Sequence, residues 1–153
     1  MPWITPKTDW KATYNGAGIY EADFFNVEDY NRIKNNLVYL KNLAKELIGV
    51  IDFPIGADKH LPIDGSPDWD NDNFFADEIN MIEDGLETID NAIKVLNHGE
   101  KQTFYENGLF IGYSELNRIE RAELDIYEHL TDSIKGKLRL SFRLGTRENT
   151  IRV

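Results

Sequence analysis

The six-residue stretch EDYNRI (Glu28–Ile33) has two near copies further along the chain, DEINMI (Asp77–Ile82) and SELNRI (Ser114–Ile119). Each copy places an apolar residue, an asparagine, a long side chain and an isoleucine in that order. The apolar residue and the isoleucine are three positions apart, so in a helix they lie on the same face. The motif therefore predicts three amphipathic helices and a degenerate internal repeat.

Apolar side chains continue at helical spacing after each copy, in steps of three and four residues. The first stripe consists of Tyr30, Ile33, Leu37, Leu40, Ala44 and Leu47. The second consists of Ile79, Ile82, Leu86, Ile89, Ile93 and Leu96. The third consists of Leu116, Ile119, Ile126, Leu130 and Ile134. Glu123 interrupts the third stripe where the other two have Leu37 and Leu86. We expect Ala122 and Leu124 to supply the apolar surface that is missing there.

The spacing predicts helices over about 26–48, 74–98 and 114–135. Asn26 and Ser114 are the expected N-caps, and Gly49 and Gly136 are the expected ends of the first and third helices. Gly85 lies inside the second helix, where it costs about 1 kcal/mol relative to alanine, so we expect it to permit close packing.

The sequence after Gly136 alternates between apolar and polar residues. Leu138, Leu140, Phe142 and Leu144 alternate with Lys137, Arg139, Ser141 and Arg143. This pattern predicts a half-buried strand that turns at GTREN into a second strand, forming a β-ribbon over about 137–153. Asn107–Gly108 is a further hairpin-turn signal. A long connector without helical period joins the first two helices, and we expect it either to fold over the body or to form a working surface.

The fold class predicted is therefore mainly α. The chain is expected to be a single domain, 1–153, built as a three-helix bundle with antiparallel-like helices, a long folded connector and a short C-terminal β-ribbon. In the three motifs Asn31, Asn80 and Asn117 lie off the core stripe. Their short amides can bond backbone groups, so we expect each to lock the incoming loop to its helix rather than to bind a ligand.

Charge is distributed unevenly along the chain. Residues 1–134 carry 26 acidic and 11 basic side chains, a net charge of −15, whereas residues 135–153 carry +5. The acidic body argues against nucleic-acid binding. A basic end can attract other copies or an acidic neighbour, and it can equally fold back on its own body. No apolar run reaches the length of a membrane span, so no membrane insertion is expected.

Signals for catalysis or cofactors are weak. Asp68, Asp70 and Asp72 have the alternating spacing of a calcium loop, but Asn73 and Ile79 stand where that loop needs glycine and glutamate. The chain has no cysteine, and its three histidines lack metal-ligand spacing. No nucleotide-binding glycine motif is present. We therefore expect no metal, no cofactor and no enzymatic activity.

Trp3, Trp10 and Trp69 fall outside the helical stripes. Tryptophans in loops can stack on sugars or anchor partners. Aromatic residues near helix starts can also be buried as part of the hydrophobic core. These two interpretations, a surface role and a plug at the end of the bundle, stay open from the sequence. The candidate contact residues are the three tryptophans and the C-terminal set Leu138, Leu140, Phe142, Leu144, Arg139 and Arg143.

A family resemblance accompanies these patterns. WITPKTDW, DFFNVEDYNRIKNNLVYL, SELNRIERAELDIYEHL and FRLGT together resemble small tail-associated structural proteins of phages and prophages of Gram-positive bacteria. The resemblance covers most of the chain, and Asp29–Leu40 is its most specific part. It implies a virion component that assembles with other tail proteins or with copies of itself, made in the bacterial host cytoplasm and located in the virion tail. The alternative function is a module that binds host-surface glycan through the loop tryptophans.

Overall fold

The structure is a computed structural model that describes residues 2–60, 75–94 and 99–148, with side chains up to residue 137. In chain order its elements are β1 (Ala12–Tyr14), β2 (Tyr20–Ala22), α1 (Val27–Ile48), α2 (Ala76–Ile93) and α3 (Tyr113–Glu148). The mainly helical class with three helices is confirmed.

The first helix begins and ends as the sequence predicts. The side chain of Asn26 accepts a hydrogen bond from the Asp29 amide at 3.0 Å, and the Asp29 carboxylate accepts one from the Asn26 amide at 3.3 Å. This reciprocal pair satisfies amide groups that a helix start leaves without helical partners. At the other end Gly49 adopts a φ of 93° and donates its N–H to the Lys45 carbonyl at 2.8 Å.

The second helix lacks a side-chain acceptor at its N-cap, because that residue is Phe75. Instead, Glu78 Oε2 accepts a hydrogen bond from the Phe75 amide at 2.9 Å. The last helical residue is Ile93, and Lys94 after it adopts a left-handed φ of 53°. The helix predicted to run to about residue 98 is therefore interrupted at Lys94, and residues 95–98 lie outside the described part of the chain.

The third helix differs from its prediction at both ends. It begins at Tyr113, so Ser114 lies in its first turn and is not the N-cap. It also continues through Gly136 to Glu148, so helix replaces the first strand of the predicted β-ribbon. Ile134, Leu138 and Phe142 are spaced by four residues and also fit a helical period, and a lone ribbon is marginal in water. Residues 149–153, the predicted second strand, lie outside the described residues.

All three helices run in the same direction, so the antiparallel arrangement expected from the sequence is wrong. Along the α1–α3 contact, Arg32 bonds Glu120 and Asn36 bonds Glu123, so the two helices advance together. Between α1 and α2, Glu78 lies near the Tyr30 hydroxyl and Gly85 lies against Leu37, so α2 advances in the same direction as α1.

Parallel helices explain the long connectors. A helix of 22 residues such as α1 is about 33 Å long, and the chain must return over that length before the next parallel helix begins. The 27 residues between α1 and α2 and the 19 between α2 and α3 are long enough, since extended chain spans about 3.3 Å per residue. Ile51 and Phe53 of the first connector are buried, so its described part folds over the body.

The core is formed by the predicted stripes. Its most buried side chains are Tyr30, Ile33, Leu37, Leu40, Ile89, Leu116, Ile119, Ile126 and Leu130. The close packing expected at Gly85 is confirmed: a Cβ there would lie 2.7 Å from Phe53 Cε2 and 2.8 Å from Leu37 Cδ2.

A short hairpin that was not predicted precedes α1. Strands β1 and β2 are antiparallel, with Tyr14 opposite Tyr20, and Asn15 organises the turn between them. The predicted turn at Asn107–Gly108 does form, with the Gly108 amide donating to the Tyr105 carbonyl at 2.9 Å. However, the described residues on either side of that turn form no strand. Among the helices described, none has the length and apolar composition needed to cross a membrane.

Candidate functional site

Each motif asparagine makes the same pair of hydrogen bonds with the backbone of one loop residue. Asn31 donates from Nδ2 to the Lys59 carbonyl at 2.6 Å, and its Oδ1 accepts from the Lys59 amide at 2.8 Å. Asn80 bonds Phe104 in the same way at 2.9 and 2.8 Å. Each side chain thus satisfies a loop N–H and a loop C=O together, as a neighbouring strand would.

Asn117 repeats this arrangement with Trp10, at 2.9 Å to its carbonyl and 2.8 Å from its amide. The loop held is not the one that enters the asparagine's own helix. Asn31 of α1 holds the segment leading to α2, Asn80 of α2 holds the segment leading to α3, and Asn117 of α3 holds the segment leading to α1. The predicted loop-locking contact is therefore present, but it joins each helix to the start of the next in a cyclic order.

Ion pairs follow the same cyclic order at two of the three helix contacts, when each pair is counted from the helix with the glutamate to the helix with the arginine. Arg32 of α1 bonds Glu120 of α3 at 2.7 Å, and Arg118 of α3 pairs with Glu83 of α2. Both glutamates are buried, with 0 and 2 % of the side chain exposed. Burial raises the pKa of Glu83, while the hydrogen bond and charge of Arg118 act in the opposite direction.

The contact between α1 and α2 lacks this pair. The position that holds arginine in the other motifs is Met81, and the position that holds the glutamate is Lys34. Lys34 instead pairs with Asp58 of the connector, and Glu78 pairs with Lys59 at 2.7 Å. These connector residues supply the charges that a helix supplies at the other two contacts.

Glu123 is a buried carboxylic acid in the core stripe of α3. Its exposed fraction is 0 %, and its Oε2 accepts from Asn36 Nδ2 at 3.3 Å. Its Oε1 has no hydrogen-bond partner among the described residues. Burial, reinforced by the charge of Glu120, raises the pKa of Glu123 well above its ordinary value, against smaller opposing effects of Asn36 and Arg32. Asn36 also bonds the Ile4 backbone in both directions, at 2.8 and 3.1 Å.

The tryptophans that the structure describes pack against the bundle. Trp10 is 3 % exposed, and its Nε1 donates to Glu120 Oε1 at 2.8 Å. Trp3 is half-buried and stacks on Tyr127 with ring centroids 4.2 Å apart. Trp69 lies outside the described residues. This placement supports the plug interpretation for Trp10 and removes it from any exposed glycan-binding groove.

Exposed apolar side chains gather in the segments just before the helices. We call this surface the aromatic end face. Its members are Tyr14, Ile19, Tyr20, Phe24, Phe75, Tyr105, Leu109 and Phe110. Leu109 is 96 % exposed, Phe24 80 % and Phe110 67 %, so these side chains present large apolar areas to solvent.

A cavity of about 440 Å³ lies within this face. Phe75 and Ile79 of the α2 start form one side, and Phe104, Leu109 and Phe110 of the loop before α3 contribute to the other. The cavity is open to solvent, and most of its lining residues are apolar or aromatic, with Glu106 among them.

The hairpin is held beside the cavity by contacts around Asp23. The Tyr113 hydroxyl donates to the Asp23 carbonyl at 2.8 Å, and Lys7 Nζ bonds the Asp23 carboxylate at 2.6 Å. The hydrogen bond from Lys7 is the main reason that the pKa of Asp23 is lowered. Next to Asp23, the Phe25 ring lies 6.3 Å from that of Phe110. These contacts join the start of α1 to the start of α3.

Several predicted site residues cannot be placed. Asp68, Asp70 and Asp72 lie outside the described residues, and so do the side chains of Leu138, Leu140, Phe142, Leu144, Arg139 and Arg143. The aromatic end face was not predicted, although Phe24–Phe25, Phe74–Phe75 and Leu109–Phe110 are visible in the sequence as apolar pairs outside the helical stripes.

No family model matches this chain, and no curated protein or solved structure is significantly similar to it.

Proposed function

We propose that this chain is a non-catalytic assembly protein that docks protein partners through the aromatic end face, as a component of a phage or prophage tail. The observation that carries the proposal is that four large exposed side chains, Phe75, Tyr105, Leu109 and Phe110, line one open cavity. Exposed apolar patches of this kind mark interaction sites in soluble proteins. The tail setting rests on the family resemblance described above.

The composition of the face favours a protein partner. Phenylalanine and tyrosine are enriched at the centres of protein interfaces, where they supply large contact areas with few rotatable bonds. Tyr14, Tyr20 and Tyr105 are at least 57 % exposed, and each combines an apolar ring with a hydroxyl that can hydrogen-bond at an interface rim.

The anchoring of the face also supports this role. Lys59 and Phe104, whose backbones are bound by Asn31 and Asn80, belong to the connectors that lead to the starts of α2 and α3. Ordering these segments before binding reduces the entropy lost on association. The contacts within the bundle therefore prepare the face for docking.

We further propose that the chain contains a degenerate threefold repeat, in which each unit is an extended return segment followed by a helix. The recurring asparagine contacts and the two equivalent ion pairs support it. A threefold repeat gives the three segments before the helices similar positions, so the apolar residues in front of each helix fall on one end of the bundle.

Particle incorporation tests the proposed function. Tail particles would be purified by density gradient from an induced lysogen that carries the gene, and the chain would be quantified in them by mass spectrometry. We expect the wild-type chain and the control Val50→Lys to sediment with particles, because Val50 is 91 % exposed but lies outside the face. The double variant Phe24→Ser, Leu109→Ser should be depleted from particles. Free wild-type chain, or equal incorporation of the double variant, would contradict the proposal.

A further inference from the structure

We propose that the cavity of the aromatic end face receives the C-terminal segment, residues 135–153, of a second copy of this chain. Copies would then join head to tail. The inference rests on the proposed function, since it names the partner of the same face.

The two surfaces are chemically complementary. The C-terminal segment carries a net charge of +5 and includes the apolar residues Leu138, Leu140, Phe142, Leu144, Ile151 and Val153, whereas residues 1–134 carry −15. Most of the residues that line the cavity are apolar or aromatic, with Glu106 among them, and the exposed Asp77 lies next to its lining residues Phe75 and Ala76. The positive charge of the segment is attracted by the acidic body, which favours encounter. The apolar residues of the segment then contact the apolar lining of the cavity, which favours binding.

The segment cannot reach the cavity of its own chain. The cavity is lined by residues up to Ile111, just before α3 begins, and α3 then runs for 36 residues, or about 54 Å. Residues 135–148 belong to α3 and lie at least 22 residues, or about 33 Å, beyond its first residue Tyr113. As part of this continuous helix they cannot turn back to the cavity of their own chain, so a second copy supplies the segment.

The segment also extends beyond the other helices. With Asn31 and Asn117 aligned, the end of α1 at Ile48 is level with Ile134 of α3. The 14 residues of α3 after Ile134 have no counterpart in α1 and project about 21 Å further. Neither α1 nor α2 extends beside this part of α3, so neither of these helices covers it.

The geometry determines the kind of assembly. The cavity and the C-terminal segment lie at opposite ends of α3, so the contact uses two different surfaces of the chain. Contacts of this type leave a free cavity at one end and a free segment at the other, and they generate open filaments or closed rings.

Two variants that each lack one half of the contact provide the test. A chain truncated after Gly136 keeps the cavity, and Leu109→Lys keeps the segment but places a cation in the cavity. Leu109 is 96 % exposed, so its substitution should leave folding unchanged, which a thermal melt would verify. The matched control is Val50→Lys, at 91 % exposure and outside the cavity.

Analytical ultracentrifugation would measure the association of each sample. We expect wild type and Val50→Lys to form concentration-dependent oligomers, and each defective variant alone to be monomeric. Their mixture should form a one-to-one dimer that grows no further, because the dimer retains only the two blocked surfaces. The charge-reversed variant Arg139→Glu, Arg143→Glu, Arg147→Glu should replace the truncated chain in this mixture.

Every other pattern would overturn the inference. Association of Leu109→Lys alone would indicate that the segment pairs with itself, and association of the truncated chain alone would indicate that the faces pair with each other. A monomeric wild type would exclude any self-contact, while the particle experiment would still test whether the face docks another protein.

Direct binding gives the strength of the contact. A labelled peptide of residues 135–153 should bind the truncated chain in fluorescence anisotropy, and a scrambled peptide should bind more weakly. Leu109→Lys in the truncated chain should weaken binding about tenfold or more, as expected for the loss of one buried leucine. Raising the ionic strength should weaken it further, because screening reduces the attraction between unlike charges. Equal binding by the scrambled peptide would refute a specific contact.

Discussion

Replacing Glu123 by leucine should stabilise the bundle, because the proposed repeat places an apolar residue at this position. The equivalent residues are Leu37 and Leu86, and both are buried in the core. The neighbouring amide of Asn36 keeps its hydrogen bond to the Ile4 carbonyl at 2.8 Å, but its second N–H loses the Glu123 acceptor. The substitution therefore removes the buried carboxyl group and leaves one amide N–H of Asn36 without its partner.

The magnitude follows from two contributions. Burying a leucine side chain contributes about 1.5–3 kcal/mol. Removing an acceptor that has no partner among the described residues, Oε1 of Glu123, removes a desolvation penalty of about 1–3 kcal/mol. The sum is reduced by a packing cost, because leucine is slightly larger than glutamate and must fit the space that glutamate occupies. The N–H of Asn36 that loses its acceptor costs about 1–3 kcal/mol, which offsets part of the gain. We expect a net gain of about 1–2 kcal/mol at neutral pH, which for a chain of this size is roughly 2–8 °C in Tm.

The gain should depend on pH with a defined sign. Burial raises the pKa of Glu123 above its unfolded value, so the unfolded chain releases this proton first as pH rises. The free energy of unfolding of the wild type therefore has its full contribution from Glu123 below the unfolded pKa. This contribution falls as the pH rises through the interval between the unfolded pKa and the raised folded pKa. The difference between Glu123→Leu and wild type should be smallest near pH 4 and larger at pH 7.

Thermal and urea unfolding of three chains at several pH values would test this reasoning. Glu123→Gln is the control, because it keeps a polar side chain of similar shape without a titrating proton. The Tm of Glu123→Gln should be similar to that of the wild type near pH 4 and higher than that of the wild type at neutral pH. An unchanged or lower Tm for Glu123→Leu at pH 7 would refute the argument, since it would mean that the carboxyl group has stabilising contacts in the core.

Three further outcomes are expected. Asn80→Ala should lower the free energy of unfolding in urea by about 1–3 kcal/mol, because both backbone groups of Phe104 lose their partners. Faster exchange of the Phe104 amide hydrogen would locate the effect, and unchanged exchange would contradict it. Gly85→Ala should destabilise by about 1–2 kcal/mol, since overpacking outweighs the gain in helix propensity, and a stabilised variant would show that the core yields there. The pair Lys34→Glu with Met81→Arg should show a favourable coupling energy of about 0.5–1 kcal/mol in a double-mutant cycle, and zero coupling would show that these positions do not meet.

The helices could be predicted from the sequence because their evidence is local. Apolar spacing set the stripe of α1 from Tyr30 to Ala44, and Asn26 and Gly49 marked its ends. Helix direction is not a local property, and the length of the connectors was the available signal for it. A return of about 33 Å requires at least ten extended residues, so both connectors are long enough for parallel helices.

The C-terminal strand prediction failed because one pattern fits two periods. Leu138 and Phe142 are four residues apart and fit a helix that continues from Ile134, while Leu138, Leu140, Phe142 and Leu144 fit a strand. A helix satisfies its backbone groups within the segment, whereas a strand needs a partner. Continuation of α3 therefore prevails in the single chain.

The asparagine contacts were predictable in chemistry but not in connectivity. A short amide near a helix start is expected to bind backbone, and Asn31, Asn80 and Asn117 all do so. Which loop each one reaches depends on the parallel packing. The cavity of the aromatic end face depends on the same packing, because Phe75 and Phe110 are far apart in the sequence and both line it only when α2 and α3 start at the same end.

The contact between α1 and α2 shows how the proposed repeat diverged without leaving a buried charge unpaired. Loss of one partner from a buried ion pair typically costs about 3–5 kcal/mol, whereas loss of both partners is tolerated. Met81 and Lys34 replace the arginine and the glutamate together, so neither charge is left alone. Lys34 and Glu78 are neutralised instead by Asp58 and Lys59, neighbouring residues of the connector. This contact therefore depends on the return segment, while the other two contacts have a direct pair between helices. A break in the connector should accordingly separate α1 from α2 before either is released from α3.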